Sequence, residues 1–237
     1  LETAKRIWQD EHSHEPFLFH WGNTTGGPVE QEEFTAAVEL LITTHSDEYR
    51  KRIKEMLPYL ENNFMVNAVS ALRAIPYMDK TYKDMMKKLV LNYKLEIDSL
   101  KSENPFGVPI TTGSWAGNGR VIYHAITNYM ILKYFPETIN KEYVFRGLDY
   151  IFGCHPGSDI SFVSGVGTVS KKVAYGNNRA DYSFIAGGVV PGVVILKPDF
   201  PENKEDWPFL WGENEYVVNM AGVYLYLVHA ANELLNN

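Results

Sequence analysis

The pair Asn214-Glu215 stands where a stretch carrying Trp207, Pro208 and Trp211 gives way to an apolar run that continues almost to the C-terminus. A carboxyl group beside aromatic walls loses hydration, which raises its pKa toward the range where it can donate a proton at neutral pH. The first turn of a helix favours the charged form instead, so Glu215 also reads as a plain helix-start residue. Glu213 competes for the acid role, although its place in the loop keeps it better solvated. Upstream, AYGNNRAD at 174–181 gathers Asn178, Arg179 and Asp181 in a glycine-rich loop with unusual hydrogen-bonding capacity. Arg179 reads equally as an ordinary surface arginine. Trp115, Trp207, Trp211 and Tyr175 are aromatic residues at loop positions, where such side chains either stack on a ligand or anchor the loop.

Two further patterns carry less chemistry. His12, His14 and His20 lie in the segment 10–30, and a His-x-His beside acidic residues offers metal ligands. No fourth ligand follows at a characteristic spacing, so no metal site is assigned. Gly165-Val166-Gly167 lacks the remaining glycine and the Lys-Ser/Thr end of a phosphate-binding loop. No cofactor is expected. Asn23-Thr24-Thr25 matches a glycosylation acceptor, which matters only for a secreted eukaryotic chain.

The elements that must position these residues follow from hydrophobic periodicity. Residues 1–11 read as an amphipathic helix with Leu1, Ala4, Ile7 and Trp8 on one face. Residues 32–44 are apolar nearly all round, the pattern of a helix buried on most sides. Residues 47–60 read as one helix with a single stripe of Tyr49, Ile53, Met56, Leu57 and Leu60. The same pairing recurs: 64–75 is apolar around most of its circumference, and 81–100 carries the stripe Tyr82, Met86, Leu89, Val90, Tyr93 and Ile97. Residues 119–135 are again buried in character, 140–152 striped, and 215–235 buried in character. Alternation of striped and all-round apolar helices predicts a double ring of hairpins, inner helices enclosed by outer ones. No sequence signature repeats at the fixed period of a solenoid. Residues 153–212, rich in Gly, Val and Pro, read as a long loop insert of the kind that usually carries function.

At 237 residues and 45% hydrophobic, the chain can bury a sizeable core, and its formal net charge of −7 argues against nucleic acid as a partner. No low-complexity tract or polar linker divides it, so residues 1–237 read as one domain. Cys154 is the only cysteine, which excludes an internal disulfide. No stretch is long and apolar enough to span a membrane. No signal peptide is present and the first residue is Leu1, the expectation for a piece of a longer precursor.

Asn214-Glu215 before a long helix, GGVVPGVVILKPD at 187–199, and NPFGVPI at 104–110 followed by Trp115 and Asn118 occur in one order. In that order they resemble the C-terminal part of the catalytic domain of glycoside hydrolase family 9. The resemblance covers most of the chain and is densest from residue 104 onward. It implies an (α/α)6 barrel of six helical hairpins, of which this chain supplies about four. The expected fold is therefore all-α, an incomplete double ring of hairpins with a long Gly-rich loop insert. It also implies inverting hydrolysis of a β-linked glycan, with Glu215 as general acid. Such a mechanism needs a second carboxylate, roughly 6.5–9.5 Å away, to activate water on the opposite face of the sugar. The family draws that base from an aspartate pair in a D-A-G-D motif, which this chain lacks. The base is thus expected in an N-terminal portion outside the chain, and the chain alone is expected to be inactive.

Arg179 matches the arginine of a His-Arg pair with which the family holds the sugar, and Asn178 stands where its cellulases have His. After the glutamate the family often continues with Asp, an aromatic residue and Asn, where this chain has Asn219, Met220 and Ala221. These departures imply a divergent branch and a substrate other than plain cellulose. Trp211 and Trp115 lead among the sugar-stacking candidates, because each lies beside a family motif at the start of an inner helix. The expected partner is an oligo- or polysaccharide, the expected location secreted or periplasmic, and the uncovered inner helices are expected to self-associate or bind the missing N-terminal part. The alternative is a non-catalytic carbohydrate-binding remnant of the same fold; a helical scaffold for protein partners is the third reading.

Overall fold

A computed structural model describes residues 1–14, 28–109, 117–154, 159–171, 184–192 and 216–236. Their contacts cluster into two compact units, Leu1–Leu89 and Val90–Asn237, and the division falls within one long helix. Among the described residues no helix is long and apolar enough to cross a membrane.

The N-terminal unit holds α1 (Glu2–Glu11), α2 (Val29–Thr44), α3 (Asp47–Glu55), α4 (Leu57–Asn62), α5 (Phe64–Ala74), a 3-10 turn over Ile75–Tyr77 and the start of α6 (Lys80–Glu103). Helix α2 packs against α3 and α5, and buries Phe34, Ala37, Val38, Leu40 and Leu41. Local chemistry sets the ends: Ser46 caps α3 by accepting from the Glu48 amide, and Asp79 caps α6 by accepting from the Tyr82 amide at 3.0 Å. Asp47 and Glu48 in the first turn of α3, with Arg52 and Lys54 in its last, also complement the helix dipole. The stripe expected on α6 is buried at all six positions, Tyr82, Met86, Leu89, Val90, Tyr93 and Ile97.

One expected helix is two. The run 47–60 breaks at Met56, because Pro58 has no N–H to give the carbonyl four residues back and its ring crowds that carbonyl. Pro58 instead falls in the first turn of α4, where a missing N–H leaves no intrahelical bond unmade. Met56 and Leu60 stay buried, so the stripe survives the break.

The C-terminal unit holds the rest of α6, α7 (Gly117–Tyr134), α8 (Glu142–Ile151), two short parallel strands, β1 (Ile160–Ser161) and β2 (Val169–Ser170), and α9 (Val218–Asn236). Helix α7 is enclosed as its composition predicts, with eleven consecutive-turn residues from Asn118 to Ile131 buried, and it packs on α8 and α9. The Tyr129 hydroxyl donates to Glu233 Oε2 of α9 at 2.8 Å. Helix α9 differs from expectation. It buries only Met220, Tyr224, Leu227, Ala230 and Ala231, while Val218, Leu225, Tyr226 and Leu235 face solvent. The apolar circumference is present in the sequence, but nothing among the described residues covers its second side.

Candidate functional site

The residues singled out from the sequence, Glu215, Arg179, Asn178, Tyr175, Trp115 and Trp211, lie outside the described residues, as do Glu213, Asp181, Trp207 and His20. The structure describes the frame from which they extend, and all of that frame belongs to the C-terminal unit.

The first motif, NPFGVP, is held by its own asparagine. Asn104 is buried; its Nδ2 donates to the Val108 carbonyl at 2.8 Å, and its Oδ1 accepts from the amides of Phe106 and Val108. Three bonds from one side chain close the loop. Phe106 then meets Tyr150 of α8 edge-on, centroids 5.2 Å apart, and Tyr150 meets Phe162 at 5.7 Å. An aromatic row therefore links the loop to the glycine-rich insert.

Within the insert, 162–164 and 187–190 run alongside each other. Val163 and Val189 form an antiparallel bridge, the Ser164 amide donates to Gly188 O, and the Val190 amide donates to Phe162 O. The Phe162 amide in turn donates to Ile151 O at the end of α8. A segment read from the sequence as loop is thus tied by backbone bonds, because buried amides and carbonyls need partners.

The glycine run GGVVPG docks on the start of α7 through Asn118. The Asn118 amide donates to Pro191 O at 2.8 Å, satisfying one of the free N–H groups of the helix start. Its Nδ2 donates to Val190 O at 2.9 Å, and its Oδ1 is buried with no hydrogen-bond partner among the described residues. Gly192 lies against this side chain at φ +63°, and a Cβ there would run into the Asn118 amide group. A glycine is required on both counts.

Tyr216, bonded directly to Glu215 in the chain, closes the frame. Its ring covers Gly188, where a Cβ would fall 2.6 Å from Cε1. Its hydroxyl lies 2.5 Å from Ser164 Oγ and accepts from the Ile185 amide. Neither Tyr216 nor Ser164 stands out in the sequence. A serine inside an otherwise apolar run, FVSGV, and a tyrosine beside the candidate acid were the signals available.

Among described carboxylates with a resolved shift, Asp149 near the end of α8 is the one displaced upward, because burial disfavours its charge. Glu33, in the other unit, is displaced downward: burial opposes ionisation, yet hydrogen bonds from Arg52 and His12 outweigh it. That contact also turns His12 away from a metal role, since its Nε2 meets Glu33 Oε1 at 2.8 Å. His14 does sit with Asp10 and Glu11, the three exposed ligand atoms lying within 4.8 Å of one another. Exposed acidic groups are common in the absence of any ion.

No protein-family model matches the chain, and no curated protein sequence does. Solved structures match it closely in shape. A metagenome-derived glycoside hydrolase family 9 endoglucanase superposes with a TM-score of 0.76 at 20% identity, over 99% of this chain and 47% of that one. A family 9 structure from Bacteroides ovatus matches with 0.68 at 19% identity, over 97% of this chain and 43% of that one. The cellulase Cel9M of C. cellulolyticum, solved with cellobiose, matches with 0.69 at 15% identity, over 99% and 58%. The chain therefore has the fold of part of a family 9 catalytic domain, an incomplete (α/α)6 barrel, and spans about half the length of the solved chains it matches.

Proposed function

We propose that this chain is the C-terminal part of a glycoside hydrolase that inverts the anomeric centre of a β-linked glycan, with Glu215 as general acid. The observation that supports it most is the meeting, in one unit, of three motifs far apart in sequence. Asn118 after the NPFGVP loop holds the glycine run, and Tyr216 beside Glu215 holds the other side of the same insert. The likeness to family 9 folds over nearly the whole chain agrees with it.

In this reading Glu215 protonates the glycosidic oxygen as the bond breaks. A second carboxylate, contributed by sequence outside this chain, takes a proton from the attacking water on the opposite face. Arg179 offers a planar fork of donors for sugar hydroxyls, and Asn178 offers both a donor and an acceptor. Trp211, Trp115 and Tyr175 stack on sugar faces, where C–H groups meet the ring. Asn178 in place of His changes the donor pattern, so the preferred glycan differs from plain cellulose. The enzyme acts outside the cytoplasm, in the periplasm or medium, where such polymers occur.

The test is Glu215→Gln in the full-length enzyme. Removing the ionisable proton without changing shape should lower turnover by about two to four powers of ten while sugar binding persists. A substrate with an activated leaving group needs little protonation and should be largely spared. Full activity of the variant on an unactivated oligosaccharide would overturn the assignment. Sugar binding without turnover in the unmodified full-length enzyme would favour the binding-remnant reading.

A further inference from the structure

We propose that the uncovered side of α9 is a pairing surface for a second copy of this chain, the two helices lying antiparallel across a two-fold axis. The proposal concerns α9 alone and does not depend on which carboxylate is the acid.

Helix α9 has three sides. Met220, Tyr224, Leu227, Ala230 and Ala231 are buried against the rest of the unit. Asn219, Gly222, His229 and Glu233 share an exposed polar side. Between these runs a third row, Val218, Ala221, Leu225, Val228, Asn232 and Leu235, at alternating steps of three and four residues. Val218, Leu225, Asn232 and Leu235 are exposed in it, and Ala221 and Val228 are half-buried. A repeat of about 3.5 residues keeps one straight seam along a helix, the pattern by which two helices interlock side chains. A helix that only covered a core would need a single apolar face, and α9 has two.

The row is complementary to its own reversal. Turning a second helix end for end about the point between Tyr226 and Leu227 sets Val218 opposite Leu235, Ala221 opposite Asn232, and Leu225 opposite Val228. Each layer then joins a larger side chain to a smaller one, so the seam fills evenly. Parallel pairing would set Ala221 on Ala221 and leave a gap. A contact in which both copies use the same patch closes on two copies and leaves no open end. Asn232 fits such a seam, because its Oδ1 already accepts from Asn236 Nδ2 at 3.2 Å. One polar residue in an apolar seam fixes the register at some cost in stability.

Charge points to the same occupant. The only acidic or basic residues of α9 are His229 and Glu233, both outside the row, and Glu233 already accepts from the Tyr129 hydroxyl at 2.8 Å. A strongly basic or acidic partner would find no counter-charge along the seam. A copy of the same helix brings no charge into it.

Size sets the strength. At 1.5 Å per residue the seam is about 26 Å long, and with a width of about 10 Å its footprint is roughly 260 Å² per copy. Even doubled for the relief of the side chains, that stays below the roughly 800 Å² per partner of a stable complex. The dimer is therefore weak and exchanges with monomer.

The experiment uses the 237-residue chain. Sedimentation equilibrium should show the mass rising from 27.0 kDa toward twice that value between about 10 and 500 µM. Leu225→Lys puts two ammonium groups near the two-fold axis and should raise the dissociation constant at least about tenfold, with helix content and melting temperature unchanged. Ile7→Lys changes an equally exposed apolar residue on α1 and should leave the dimer as it was. Cross-linking gives the orientation without adding charge. With the exposed Cys154 replaced by serine, a mixture of Val218→Cys and Leu235→Cys chains should form a mixed disulfide. Neither chain should link to itself, since equal ends lie about 26 Å apart in the antiparallel pair. A monomer at 500 µM, or a dimer untouched by Leu225→Lys, would overturn the proposal. So would a dimer lost on Ile7→Lys, which puts the contact on another face, or self-linking of either cysteine chain, which makes the pair parallel.

Discussion

At the scale of single residues, the strongest constraints are steric and protonic. Gly192 combines a left-handed φ with direct contact against the Asn118 amide, so Gly192→Ala meets both a backbone penalty and a clash. The expected cost is about 2–4 kcal/mol, visible as a fall in melting temperature, and Asn118→Ala in the same chain should relieve only the clash part. A neutral Gly192→Ala would show that the glycine run is not clamped at Asn118. His124 on α7 is a second sensitive residue. Burial, assisted by the Arg146 charge, lowers its pKa from 6.5 to about 4. The unfolded chain therefore binds a proton that the folded chain refuses, and the stability present above pH 6.5 is lost as pH falls through about 4. The size is roughly 3 kcal/mol, and Asp149, whose pKa is displaced upward, works in the opposite sense. Urea midpoints measured at several pH values between 7 and 4 should fall for the parent and flatten for His124→Leu; parallel curves would refute the buried neutral imidazole. Glu213→Gln, by contrast, should leave turnover within a few-fold of the parent, since no proton transfer is assigned to it.

Among elements, loops here are built as deliberately as helices. The 104–109 loop depends on Asn104, whose three bonds to Phe106 and Val108 replace the regular ladder that a helix or strand would supply. Asn104→Ala leaves two amides and a carbonyl without that partner in a buried setting. A loss of about 1–3 kcal/mol is expected, and because Phe106 leans on Tyr150, the ring contacts toward Phe162 should loosen too. Near-ultraviolet circular dichroism would report that loosening, and an unchanged spectrum with unchanged stability would count against it. Helix α3 and helix α4 show the other side of the same rule: a proline that breaks one helix costs little when it falls in the first turn of the next.

At the scale of the whole molecule, apolar surface is left open in both units. In the N-terminal unit a groove of about 1000 Å³ runs between α1 and α2, lined by Leu1, Ala4, Ile7, Val29 and Ala36 among others. In the C-terminal unit the solvent side of α9 exposes Val218 at 89%, Leu225 at 58% and Leu235 at 68%, far more than a helix sealed in a ring would. The 237-residue chain by itself is therefore expected to self-associate, and sedimentation equilibrium should show species larger than 27.0 kDa. Leu225→Lys should shift that equilibrium toward monomer without loss of helicity. The same chain should hydrolyse no β-glycoside, because one carboxylate without its opposite partner completes half of the proton traffic. Turnover by the purified chain, abolished on changing a carboxylate within it, would place the base inside these residues after all.

Much of this was legible without coordinates. The stripe on α6 and the all-round apolarity of α7 were both legible from spacing, because the helical period alone decides which side chains share a face. The order of the three motifs carried the family likeness for the same reason: backbone turns and buried amides demand particular residues at particular steps. What spacing could not decide was which apolar faces find a partner. Helix α9 has a circumference as apolar as that of α7, yet only one side of it is covered, since coverage depends on neighbours and not on the helix itself. Nor could a linear reading pair Ser164 with Tyr216 or Asn118 with Val190. Those contacts join residues 52 and 72 positions apart, and only the folded chain brings their polar atoms within bonding distance.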